Sequence, residues 1–237
     1  MSGGSHRRDE LESALASCRH RIEHSCAAVG RDHEDVTLVV VTKFFPASDV
    51  RLLAELGVTH VGENRHQEAA AKAAECADLG LTWHFIGGLQ SNKAAAVASY
   101  ADVVESVDRV KLVAGLQRGA QDRSPPLDCL IQVSLDAADA SAARAGVEPT
   151  GIVELANAVD AAASLRLRGL MAVAPLDEDP AAAFGRLGGI RADFLAARPD
   201  ATWLSAGMST DLEAAVRAGA THVRIGSAVL GPRPTIK

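Results

Sequence analysis

The 237-residue chain is 48% apolar, with five Phe, two Trp and one Tyr, and it has a formal net charge of -6 at pH 7. That length suits one β/α barrel with an aliphatic, Ala-rich core; the acidic balance and the lack of any Lys/Arg block exclude nucleic acid as the main partner. No apolar run reaches membrane-spanning length, and Cys18, Cys26, Cys76 and Cys129 form no C-x-x-C pair or metal spacing, so they read as reduced thiols.

Residues 1–8 have no apolar segment after their basic residues, so they read as a disordered start of a cytoplasmic protein and not as a signal peptide. Residues 9–29 carry Leu11, Leu15, Cys18, Ile22 and Cys26 at helical spacing, and Gly30 closes the helix. Leu38-Val39-Val40-Val41-Thr42-Lys43 then reads as a strand buried on both faces, as parallel strands are, with Pro46 stopping it. Ser48 or Asp49 can cap a helix through Leu56, ended by Gly57. A second strand over 58–62 leads into a helix over 65–76. A third over 82–87 leads through Gly88 and Asn92 into a short helix. The fourth strand spans 102–107, with Asp108 able to cap a helix to Arg118.

Pro125-Pro126 marks a loop before a fifth strand over 127–135. The polar, Ala-rich stretch 136–151 reads as an ordered loop before a helix over 152–162. The sixth strand (165–173) is broken by Pro175. Next come a helix over 181–197, a seventh strand over 202–207, a helix over 211–218 and an eighth strand over 221–226. Eight strands alternating with helices predict a single TIM-type (β/α)8 barrel over 9–237 with an extra N-terminal helix. A doubly wound open sheet is the alternative, because spacing alone does not show closure. The first strand–helix unit lacks G-x-G-x-x-G, so a Rossmann dinucleotide site has no support.

Lys43 falls at the carboxyl end of a buried strand, where α/β folds place their ligand sites. Burial lowers a lysine's pKa and frees an amine able to form a Schiff base. The other reading is a lysine that reaches solvent or pairs with an acid such as Glu63. Lysine is scarce, five against nineteen arginines, which favours a role for the amine itself. Near the end, Ser205-Ala206-Gly207-Met208-Ser209-Thr210-Asp211 and Arg224-Ile225-Gly226-Ser227 each run from a strand through glycine to hydroxyl residues. Turns after strands seven and eight of a barrel are a common phosphate site, although glycine at such turns is also ordinary. Arg224 either lies on the outer face or enters the mouth to meet a heteroaromatic ring. Asn64 orients a ligand or caps a helix, and His84 is a core or a catalytic histidine.

Val40-Val41-Thr42-Lys43, Val61-Gly62-Glu63-Asn64, Trp83–Gly87 with Leu89–Lys93, Arg168-Gly169-Leu170-Met171, Leu204–Ser209 and Val223–Ser227 together resemble the pyridoxal phosphate homeostasis protein family. Its members are single-domain barrels similar to the N-terminal domain of alanine racemase, and the resemblance runs from about Arg8 to Gly231. It implies that Lys43 holds pyridoxal 5′-phosphate (PLP) as an internal aldimine. It further implies that Ser205, Gly207, Met208, Gly226 and Ser227 surround the phosphate, that Arg224 faces the pyridine nitrogen, and that Asn64 and His84 line the cofactor. Two departures stand out: Arg65 follows Asn64 where an aromatic is common, and Arg144 stands where the family has a lysine.

An arginine at the ring nitrogen leaves that nitrogen unprotonated and carbanion stabilisation weak. Racemases of this type add a second acid/base, a tyrosine from a separate C-terminal domain in alanine racemase. Here no such domain follows the eighth strand, and the single tyrosine, Tyr100, precedes the fourth strand, toward the opposite end of the barrel. The expectation is therefore a monomeric PLP carrier or buffer in vitamin B6 homeostasis, with apo PLP enzymes as recipients. The alternatives are a weak amino-acid racemase using Lys43 and His84, or a cofactor-free Schiff-base aldolase.

Overall fold

Eight short strands rich in Val, Leu and Ile form β1 (Thr37–Val41), β2 (His60–Glu63), β3 (Thr82–Phe85), β4 (Val103–Val107), β5 (Leu127–Val133), β6 (Leu165–Ala172), β7 (Trp203–Ser205) and β8 (His222–Ile225). In this computed structural model, which describes residues 2–136 and 145–233, they close into a parallel barrel in sequence order. β8 returns to β1 with Val39 beside Arg224, so closure excludes the open-sheet alternative. The outer layer comprises α1 (Ser2–Ala27), α2 (Ala47–Glu55), α3 (His66–Glu75), α4 (Ala94–Ala98), α5 (Val113–Ala120), α6 (Ile152–Asp160), α7 (Pro180–Ala197), α8 (Leu212–Arg217) and α9 (Ser227–Leu230). None of the described helices is long and apolar enough to cross a membrane.

Strand alternation sorts the side chains into two cores. Val40, Val61, Val104, Ile131, Leu204 and Val223 face the helices and join Leu11, Leu53, Leu116, Leu155 and Phe184 in one large apolar cluster. Inside the barrel, Val103, Leu130 and Met171 form a small separate cluster with Trp203 against it. Much of the rest of the interior is polar: His60, His84, Glu105, Ser205, His222 and Arg224 come from five different strands.

Several local expectations differ from the structure. α1 begins at Ser2, ahead of Asp9, because tertiary contacts extend it: Arg7 reaches Asp49 (2.7 Å) and the carbonyl of Leu230 (3.1 Å). Neither Ser48 nor Asp49 caps α2, whose cap position is Pro46 with no side-chain bond. Asp108 does not cap the next helix, which starts through a 3-10 turn at Val110–Leu112. Most strands stop one or two residues short of the expected end, where the chain peels away into the mouth. Of the stretch 136–151, Val147 pairs with Val133 and Pro149–Gly151 is a 3-10 turn. Arg144 lies outside the described residues.

Candidate functional site at the carboxyl ends of the strands

The chain leaves β1 in a four-residue turn closed by the amide of Phe45 on the carbonyl of Thr42 (3.1 Å). Lys43 is second in this turn, and its half-buried side chain lines a cavity of about 280 Å³. Its ammonium makes no hydrogen bond or ion pair with the described residues. Burial pushes its pKa down, and Arg233 and Arg65 push the same way against the opposing charge of Glu63. The sequence-level alternative, a pair with Glu63, is not formed: Glu63 instead accepts from Lys72 (2.6 Å) and from the hydroxyl of Thr42 (2.6 Å).

Across the cavity, the turns after β7 and β8 converge. Ser227 Oγ donates to Ser209 Oγ at 3.4 Å, and Met208, Thr210 and Gly226 share the lining. The backbone amides of Ser209 and Thr210 meet no acceptor among the described residues, whereas the amide of Met208 is taken by Asp211 (2.5 Å). Gly207 shapes this turn. Its φ is +94, and an added Cβ would lie 2.6 Å from the Cβ of Ala215, so only glycine fits. At Gly226 an added Cβ would make ordinary 3.4 Å contacts with Val41, so the protein itself does not demand glycine there.

Arg224 reaches the cavity from below. It is 4% exposed and points into the barrel, which rules out the outer-face reading. One guanidinium nitrogen donates to the carbonyl of Ala172 (2.9 Å) and the other to Ser205 Oγ (2.6 Å). Ser205 Oγ in turn donates to Glu105 Oε2 (2.6 Å), and Glu105 Oε1 meets His84 Nδ1 at 2.7 Å. An ionised carboxylate only accepts, so His84 Nδ1 is the donor, and His84 Nε2 meets His60 Nδ1 at 2.9 Å. Burial pushes the carboxyl of Glu105 up. The hydrogen bond and charge of His84, the charge of Arg224 and the Ser205 hydroxyl outweigh it and hold the group at about 2.

Of the residues singled out in the sequence, Lys43, Met208, Arg224, Gly226 and Ser227 line one cavity. The other four do not. Ser205 and His84 are bound into the network beneath Arg224. Gly207 abuts α8 through Ala215, and Asn64 fills the space where a side chain on Gly87 would be, with Oδ1 2.5 Å from that Cβ position. Tyr100 stacks on His66 (5.8 Å) in the helix layer and does not line the cavity. Sequence reasoning missed Glu105, whose signal was a lone acid inside the apolar run 103–107. It also missed Lys72, whose signal was an i,i+4 pairing with Glu68.

Residues 15–234 match the family described as alanine racemase, N-terminal domain. The chain is 42% identical to the pyridoxal phosphate homeostasis protein of Mycobacterium bovis, over 96% of this chain and 94% of that protein. It is 36% identical to the protein of the same name in Escherichia coli, over 95% of this chain and 97% of the relative. Among solved structures, PipY of Synechococcus elongatus with PLP bound is 34% identical, with a TM-score of 0.80 over 93% of this chain and all of that one. Alanine racemase of Clostridium difficile, 14% identical, shares the fold at a TM-score of 0.70 over 96% of this chain and 58% of its own length. With two full-length relatives above the identity at which a family is shared, the chain belongs to the pyridoxal phosphate homeostasis protein family.

Proposed function

We propose that this protein binds PLP as a Schiff base on Lys43 and acts as a carrier or buffer in intracellular PLP homeostasis, with apo PLP enzymes as recipients. The observation that carries this reading is one cavity holding a half-buried lysine amine opposite two backbone amides, all unpartnered among the described residues, and the hydroxyls of Ser209 and Ser227. That donor set fits an aldehyde at one end and a phosphate at the other. The Lys43 amine adds to the aldehyde carbon, and the carbonyl oxygen leaves as water. PipY, a relative across nearly the whole chain, has PLP bound.

Bound PLP supplies electron withdrawal from a carbon attached to its imine nitrogen, most strongly when its ring nitrogen is protonated. Arg224 works against that protonation. As a buried guanidinium held by Glu105 it offers donors and no acceptor, so a ring nitrogen facing it must accept. Among the described residues lining the cavity, Lys43 is the group suited to exchange a proton, since burial lowers its pKa and the other ionisable ones are the guanidiniums of Arg224 and Arg233. His84, the base in the racemase alternative, is enclosed between Glu105 and His60. Both points favour holding the cofactor over efficient turnover.

Mixing the purified protein with PLP tests this reading. A visible absorption band should form with the parent and be lost in Lys43→Ala. A band of equal strength in Lys43→Ala would move the attachment elsewhere.

A further inference from the structure

Lys43 is gripped from the helix layer. On α3, Glu68 and Lys72 stand one turn apart and pair at 2.8 Å. Glu68 Oε1 accepts the amide of Phe44 (2.5 Å), directly after Lys43. Lys72 Nζ donates to the carbonyl of Thr42 (2.7 Å), directly before it, and to Glu63 Oε1 (2.6 Å). Two side chains one helical turn apart therefore bind the backbone on both sides of the lysine.

The turn they bind is an awkward one. Phe44 occupies its third position at φ 72, a conformation that turns ordinarily give to glycine or asparagine. Its ring is flanked by the guanidinium carbons of Arg65 and Arg233, each 5.0 Å from the ring centre. Lys72 is itself only 6% exposed, and a buried ammonium persists only when paired and hydrogen-bonded. Glu63 Oε2 is buried without a partner among the described residues, so removal of Lys72 would leave a carboxylate seeking a cation. The charged groups acting on Lys43 are Arg233, Glu63 and Arg65, and of these only Glu63 attracts it.

We propose that Glu68 and Lys72 are positioning residues that fix the turn on both sides of Lys43 and keep Glu63 from capturing its amine. The inference rests on the reading of Lys43 as the PLP-binding amine, but it concerns the state of that amine before any cofactor arrives. Lys72 neutralises Glu63 and anchors Thr42, and Glu68 anchors Phe44. The Lys43 side chain is thereby left facing the cavity, in no ion pair with the described residues.

The test is reductive methylation of the PLP-free protein with formaldehyde and cyanoborohydride at neutral pH, with Lys43 scored against exposed Lys111 by peptide mass spectrometry. Lys72→Met should slow Lys43 labelling by about tenfold, the effect of one pKa unit gained by pairing with Glu63, and Glu68→Leu should slow it more than about twofold by releasing the Phe44 amide. Glu68→Gln, which keeps an acceptor for the Phe44 amide, should stay within about twofold of the parent. Glu63→Gln added to Lys72→Met should restore much of the labelling and serves if the single variant folds poorly. Pyridoxine 5′-phosphate, which has no aldehyde, should bind Lys72→Met as it binds the parent. Unchanged Lys43 labelling in folded Lys72→Met and Glu68→Leu would overturn the proposal. A parent whose Lys43 reacts with formaldehyde but never with PLP would instead overturn the cofactor reading, and the labelling series would still decide the clamp.

Discussion

Arg224 and Glu105 lie 3.8 Å apart inside the barrel, and the hydroxyl of Ser205 is shared between them. The pair is buried, with Arg224 4% exposed where it meets the floor of the cavity and Glu105 not at all. Taking one partner from a buried pair typically costs about 3–5 kcal/mol, because the other charge is left uncompensated. Glu105→Leu should therefore lower unfolding free energy by that amount in urea. Adding Arg224→Leu should recover part of the loss, since no lone charge then remains. Additive losses would show that the two side chains are not coupled.

The interior histidines give stability a pH dependence. Burial, helped by the charge of His84, lowers His60 to about 4. Burial lowers His222 to about 3 against the attraction of Glu105. In the unfolded chain both titrate near 6.5. As pH falls below that value the unfolded state binds more protons than the folded one, and stability declines until the folded rings protonate. Glu105, held at about 2, adds a second loss below about 4.5. Urea unfolding should be insensitive to these groups above pH 7, decline from about 6.5 and steepen below 4.5. A flat profile between pH 7 and 5 would contradict buried neutral histidines.

The two glycines at the phosphate end should behave differently. Gly207→Ala forces a side chain into positive φ and against Ala215, and should lower the melting temperature. Gly226→Ala places its methyl in ordinary contact with Val41 and beside the cavity. It should melt like the parent yet retain PLP less well. Equal PLP retention in Gly226→Ala would show that the phosphate does not approach that backbone.

The barrel was legible because each strand is a short aliphatic run closed by glycine, proline or a polar residue, and eight such runs alternate with helical spacing. Strand ends and caps were less so. Asp49 and Asp108 look like caps by sequence, but Asp49 is taken by Arg7, a partner 42 residues away. At the site, residues on the turns could be placed: Lys43, Met208, Gly226 and Ser227 reach the cavity as strand-end positions should. Residues within strands were harder. Whether Ser205 and His84 touch a ligand or another side chain depends on which residues oppose them across the barrel, and Glu105 contributes from 100 positions away from Ser205.

Proton exchange at the α-carbon of an amino acid separates a carrier from a racemase. With no second acid/base among the described residues lining the cavity, L-alanine in deuterated water should racemise slowly with PLP-loaded protein. A missing general acid or base is typically worth roughly 10²–10⁴-fold in rate. Racemisation at ordinary enzyme turnover, lost in His84→Asn, would make His84 the missing base.

Borohydride reduction followed by peptide mass spectrometry reads the proposed covalent attachment of PLP to Lys43. Protein incubated with PLP and reduced should carry one phosphopyridoxyl group, on the peptide containing Lys43. Modification confined to Lys72, Lys93 or Lys111, or protein that remains unmodified at saturating PLP, would rule out attachment at Lys43.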